Sequence, residues 1–103
     1  MNILYNKQTR VLNIQVPAEI DQYIAEKIRN KVDFEIEKYM PKKVLLDFEN
    51  VNFMDSAGIG LIIGRYKTSK MVGSTFKICN VSPQIKKVLE MAGILKIIPI
   101  EDK

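Results

Sequence analysis

One run of residues constrains this chain more than any other. V-L-L-D-F at Val44–Phe48 is almost wholly apolar, and after a loop it leads into a stretch studded with Gly58, Gly60 and Gly64. A strand without polar alternation suits the centre of a sheet, covered on both faces. A helix following such a strand implies a crossover to a parallel neighbour, and crossovers of this kind are right-handed. The core of the chain is thereby committed to an α/β layout.

The remaining segments extend that layout. Ile3–Lys7 and Val11–Val16 read as short strands around a turn at Gln8–Arg10, with Leu12, Ile14 and Val16 on one face. Pro17 ends the second strand because it has no N–H to donate. Ile20 to Met40 reads as a long helix whose apolar stripe is Ile20, Tyr23, Ile24, Ile28, Val32, Ile36, Tyr39 and Met40. Glu26, Arg29, Asp33 and Glu37 lie mostly elsewhere on it, Phe34 falls off the stripe and is expected half exposed, and Pro41 closes the helix. The helix after Asp55 carries Ile59, Ile62, Ile63 and Tyr66 at core-facing spacing. Gly73 and Ser74 turn the chain into a strand, Thr75–Asn80. Ser82-Pro83 then starts a helix, with serine as cap and proline in the first turn. Ile85, Val88, Leu89 and Ala92 share its inner face, and Gly93 can end it in a left-handed conformation. Lys96–Ile100 reads as the last strand. The order is β-β-α-β-α-β-α-β: an α/β fold with a mixed, mostly parallel sheet flanked by helices, forming one domain over residues 1–103.

Composition removes several classes. With 47% hydrophobic residues, a 103-residue chain can build a core without disulfides or a structural metal. Cys79, the single cysteine, falls in a strand and reads as an inert core residue. No signal peptide opens the sequence, and its apolar runs fall far short of the ~18 residues a membrane span needs, so a cytoplasmic location is expected. The net charge of +4 is spread over lysines interleaved with acids, as in Glu35–Lys38, without the aromatic-basic platform of single-strand binders. A solvated surface is expected, with no direct nucleic-acid or membrane partner.

The loop before the second long helix delivers Asp55 and Ser56 to a helix start. With Asp55 as the cap, Ser56 becomes the first helical residue and its hydroxyl can face solvent. Helix starts have unpartnered N–H groups and the positive end of the dipole, so a phosphate there is compatible with the fold. The bland alternative is a plain cap. Each glycine in a helix costs up to about 1 kcal/mol relative to alanine. Gly58 is expected to leave the entrance to Ser56 uncluttered. Gly60 and Gly64 either admit a partner backbone or pack tightly on the sheet.

Enzymatic readings are weaker. G-x-G-x-x-x-G is not the dinucleotide spacing, and Asn80 stands where an acidic residue would end the next strand. A serine-hydrolase elbow needs glycine where Met54 stands, and the chain has no histidine to act as base. One cysteine and no histidine argue against zinc. Glu19 and Asp21 precede a helix and can be ordinary capping residues. No catalytic residue, cofactor or metal is expected.

The run N-F-M-D-S-A-G-I-G-L-I-I-G-R-Y-K strongly resembles the signature of bacterial anti-sigma factor antagonists of the STAS domain family. P-A-E-I-D before the long helix, N-V-S-P-Q-I-K-K-V-L, and M-A-G-I-L-K-I-I agree with it, so the likeness spans about the whole chain. The resemblance implies a mixed sheet flanked by helices and a protein that is not itself an enzyme. It implies phosphorylation of Ser56 by an anti-sigma factor that is also a serine kinase. The unphosphorylated form binds that kinase and frees a sigma factor, here sporulation sigma F, and a PP2C-type phosphatase resets the switch. The alternatives are a general-stress antagonist acting on another sigma factor and, further off, a flavodoxin-like nucleotide-binding domain or enzyme. By the same resemblance Asp55 matches the aspartate before the phosphoserine, Asp21 an acidic position in the adjacent loop, and Gly58 and Gly60 the helix-entrance glycines. Ala57 stands where a second serine or threonine is usual, which removes an alternative acceptor beside Ser56. Asp21, Asp55, Ser56, Ala57, Gly58 and Gly60 are thus the expected partner-binding residues. Gln22 and Tyr23 replace a pair that is often histidine, Ala18 a frequent glycine, and the sequence ends at Lys103 where many members carry a further helix.

Overall fold

The chain runs β1 (Asn2–Asn6), β2 (Val11–Gln15), β3 (Glu19–Ile20), α1 (Gln22–Tyr39), β4 (Lys43–Asp47), β5 (Phe53–Met54), α2 (Ser56–Met71), β6 (Thr75–Cys79), α3 (Pro83–Met91), a 3₁₀ turn (Ile94–Lys96) and β7 (Ile100–Glu101) in the computed structural model, which describes residues 1–101. β1 and β2 form an antiparallel hairpin. Its turn is held by the Asn6 carboxamide oxygen, which accepts from Gln8 N at 2.9 Å and Thr9 N at 3.0 Å, and Arg10 takes a positive φ of 58°. β2, β4, β6 and β7 are parallel, giving the order β1-β2-β4-β6-β7. A separate pair, β3 and β5, is parallel and two residues long.

Alternation decides what faces the helices. Leu12 and Ile14 of β2, Val44 and Leu46 of β4, and Phe76 and Ile78 of β6 share one continuous core with Ile28, Val32 and Ile36 of α1, Ile62 of α2, and Ile85 and Leu89 of α3. Each such side chain contributes about 1.5–3 kcal/mol on burial. Leu45 points to the other face, where it is buried outside that core and lines an open depression with Leu4, Val11, Asn13, Lys43 and Glu101.

The structure corrects several expected boundaries and faces. α1 begins at Gln22 rather than Ile20, because Asp21 caps it and Ile20 is extended in β3. Lys96–Ile100 is not a strand. Ile94 and Ile98 are both buried, an i,i+4 spacing that suits a helical turn, and only Ile100–Glu101 pairs with β6 once Pro99 is passed. Two members of the α1 stripe are exposed: Tyr23 at 64%, with Lys27 Nζ 4.5 Å from its ring centroid, and Met40 in the left-handed region beyond the helix end. Phe34 lies off the stripe as expected and is more exposed than the half-exposure its position suggested. Ala92 faces solvent rather than the core, while Gly93 turns left-handed at φ 75° as its position implies.

Candidate functional site

The two short strands that local periodicity does not reveal are what assemble the site. β3 and β5 pair Glu19 with Phe53 and Ile20 with Met54, so the next residue on each, Asp21 and Asp55, stand beside one another. Each opens a helix. The Asp21 carboxylate accepts from Ile24 N at 2.9 Å and the Asp55 carboxylate from Ala57 N at 2.8 Å. Backbone bonds tie the segments together: Asp55 N donates to Ile20 O at 3.2 Å and Asn52 N to Ala18 O at 2.9 Å. The entry loop is anchored further back. Asp47, buried at the end of β4, accepts from Glu49 N at 2.9 Å and from Asn80 Nδ2 at 3.0 Å, and Asn80 itself is left-handed at φ 57°.

Ser56 is the first residue of α2 and is exposed, as are Asp21 and Asp55. Among the described residues no hydrogen bond holds its hydroxyl. Ala57 is half-buried and Gly60 exposed beside it. The first-turn donors of α2 are less available than the sequence implies. Ala57 N is taken by the Asp55 carboxylate, and Gly58 N donates to Asp55 O at 3.0 Å. A phosphate on Ser56 would meet the positive end of the dipole but share it with Asp55.

The glycines divide. Gly58 is buried, and a Cβ there would overlap Met54 Cγ and Sδ, so packing requires this glycine rather than a need to clear the entrance to Ser56. Gly60 and Gly64 have nothing within 4 Å of where a Cβ would stand. Tight packing on the sheet is therefore not their reason. They open a groove of about 400 Å³ between α1 and α2, lined by Gln22, Glu26 and Arg29 on one wall and by Leu61 and Arg65 on the other.

Local pattern also missed the centre of the α1–α2 contact. Arg65 is 5% exposed at its side chain and forks onto Asp33, with Nε to Oδ1 at 2.7 Å and Nη2 to Oδ2 at 3.2 Å. Desolvation by burial lowers the Arg65 pKa, and the Asp33 charge and hydrogen bonds oppose that shift. The signal was present in the spacing, since Arg65 lies four residues beyond buried Leu61 and three beyond buried Ile62. The inner arc of α2 is thus turned toward α1, and Ile63, expected in the core, is 38% exposed. Among the described residues no three His, Cys, Asp or Glu side chains converge as metal ligands would.

Comparison with known proteins gives one consistent result. The family model described as STAS domain matches residues 2–103. The anti-sigma F factor antagonist of Paenibacillus polymyxa is 35% identical over 92 residues, covering 89% of this chain and 79% of that protein. The anti-sigma-B factor antagonist of Bacillus subtilis (strain 168) is 27% identical over 103 residues, covering 100% and 93%. Among solved structures, the anti-sigma factor antagonist SpoIIAA in its unphosphorylated form superposes with a TM-score of 0.81 at 28% identity, covering 99% of this chain and 88% of that one. The same protein in its phosphorylated form, described as a Bacillus cell fate determinant, gives 0.73 at 28% identity, covering 99% and 91%.

Proposed function

The chain belongs to the STAS domain family, and on that premise we propose that it is an anti-sigma factor antagonist switched by phosphorylation of Ser56. Unphosphorylated, it binds an anti-sigma factor serine kinase and releases a sigma factor, sigma F. Phosphorylated, it lets go, and a PP2C-type phosphatase restores it. It acts in the cytoplasm as a binding partner and kinase substrate, with no turnover of its own. Asp21, Asp55, Ala57 and Gly60 form the rest of the contact with the kinase, and Gly58, expected there too, is buried and supports that surface from beneath without touching the kinase.

One observation carries this reading: an exposed serine without a hydrogen bond of its own begins a helix directly after an aspartate cap, and the strand before that cap is paired with the strand leading to a second capping aspartate, Asp21. Phosphorylation adds roughly −1.5 to −2 charges at neutral pH. Within a close interface that charge must lose water beside Asp21 and Asp55. A penalty of about 3 kcal/mol weakens binding more than a hundredfold without any large rearrangement.

The test uses the anti-sigma F factor of Paenibacillus polymyxa with ATP, and mass spectrometry to locate phosphate. Phosphate on Ser56, tight binding by Ser56→Ala and binding at least a hundredfold weaker by Ser56→Asp are the expected results. Equal binding by the two variants sinks the mechanism. The full-length likeness to an anti-sigma-B factor antagonist supports a second reading, control of a general-stress sigma factor by the same chemistry. Running the same assay with the Bacillus subtilis anti-sigma-B factor decides between them, because the cognate kinase modifies Ser56 faster.

A further inference from the structure

Resting on that reading, we propose that Met54 and Gly58 are a positioning pair for the Ser56 hydroxyl. Met54 is buried in β5, which is fixed by pairing with Ile20. Its side chain crosses the α carbon of Gly58 so closely that an added Cβ would overlap Cγ and Sδ and lie 3.5 Å from the Met54 Cβ. Cγ lies in the middle of the side chain, so clearing it takes a change at χ1 and not just a swing of the terminal methyl. A methyl group at residue 58 therefore forces a new Met54 rotamer or moves the first turn of α2. Only Asp55, Ser56 and Ala57 lie between the two contact points, and the Gly58 N to Asp55 O bond of 3.0 Å closes the same arc. Since no hydrogen bond holds the Ser56 hydroxyl among the described residues, its position is inherited from this arc. The demand is local, because Gly60 and Gly64 on the same helix meet nothing.

Placement matters to the chemistry. In transfer from ATP, Ser56 Oγ forms a bond to the γ-phosphorus as the bond to the β,γ-bridging oxygen breaks. ADP leaves, and the hydroxyl proton passes to a base on the kinase. Displacement of an attacking atom by about 1 Å can cost on the order of a hundredfold in rate.

The experiment compares wild type, Gly58→Ala, Met54→Ala and the double variant as substrates of whichever of the two kinases above modifies Ser56. Folding of each is checked by circular dichroism well below its melting temperature. Gly58→Ala should lose at least tenfold in kcat with KM changed less than threefold. The double variant should return to within threefold of Met54→Ala, since shortening Met54 makes room for the methyl group. A folded Gly58→Ala modified at the wild-type kcat overturns the pair, as does a double variant no faster than Gly58→Ala. If Gly58→Ala does not fold, the double variant against Met54→Ala decides: equal rates support the pair, and a tenfold deficit overturns it. Wild type left unphosphorylated by both kinases overturns the functional reading and this role with it, whereas failure among the variants alone leaves that reading standing.

Discussion

The two halves of α2 are built on opposite terms. From Ser56 to Gly60 the outer face of the helix is small-sided and open, with an aspartate cap, an exposed hydroxyl and bare backbone at Gly60, while Gly58 and Ile59 face inward. From Leu61 to Ser69 it is locked in, with Leu61, Ile62, Arg65 and Ser69 buried, Arg65 forked onto Asp33 of α1, and Ser69 Oγ donating to Arg65 O at 2.8 Å. One helix thus presents an open end and a locked end. Substitutions in the second half should act on folding, and those in the first on what the folded protein can be made to do.

The largest effect is expected at the fixed end. Asp33→Ala leaves the Arg65 guanidinium buried without its carboxylate, a situation that typically costs 3–5 kcal/mol. Asp33 is 27% exposed, so water can reach part of the vacated site, and a loss of about 3 kcal/mol is expected in urea denaturation at neutral pH. Replacing both partners with apolar residues, Asp33→Leu with Arg65→Met, should recover most of it, because neither desolvated charge remains. If Asp33→Ala costs under 1 kcal/mol, the contrast between the halves is not one of electrostatic locking.

Next comes the cap at the open end. Asp55→Ala removes the acceptor for Ala57 N and should cost about 1 kcal/mol in the same measurement. Asp21→Ala should match it, since that cap makes an equivalent bond to Ile24 N. The pair tests whether the two helix starts are equivalent in stability and differ only in the residues after the cap: Gln22 and Tyr23 on α1, Ser56, Ala57 and Gly58 on α2.

Why the open end was readable in the sequence and the locked end was not has a physical reason. Capping is a local interaction, so Asp55 before a helical run marks the start of α2 without knowledge of the fold, whereas at α1 the apolar stripe drew the expected start to Ile20, one residue ahead of the Asp21 cap. The alternation of strands and helices, and with it a mostly parallel sheet, followed from longer runs such as Val44–Phe48, whose apolar surplus suits a strand covered on both faces. β3 and β5 are two residues each, too short for any period to show, and exist only because each supplies the other's partner. The Asp33–Arg65 contact spans 32 positions and joins two residues that charge alone assigns to the surface. Ile63 was misplaced for the same cause: the buried arc of α2 is set by the neighbour it packs against, and α1 turns that arc toward Arg65. Gly60 and Gly64 were legible as unusual, but only three-dimensional placement separates glycines that nothing crowds from Gly58, which Met54 does.

A smaller gain is expected where that emptiness is tested. Gly64→Ala adds a methyl group to open space within a helix, which should stabilise by about 0.5–1 kcal/mol through a better helix former and a less flexible unfolded chain. For a chain of this size that is a rise of roughly 2–8 °C in melting temperature. A fall in melting temperature would mean that the groove beside Gly64 closes in solution.

The smallest effect is the most telling. Ser56→Asp puts a carboxylate in the first turn of α2, where the dipole favours it by about 0.3–1 kcal/mol. The same charge lies next to the Asp55 carboxylate, already bonded to Ala57 N, and repulsion between exposed charges is of similar size. The two terms offset, and stability should stay within about 0.5 kcal/mol of wild type. Set against a binding loss of about 3 kcal/mol, that near-zero value is what an open end requires: charge added there is felt by a visitor and hardly by the fold. A melting temperature that drops by about 10 °C or more would show the charge acting on the scaffold itself, and the weaker binding would then report a damaged helix start in place of a repelled partner.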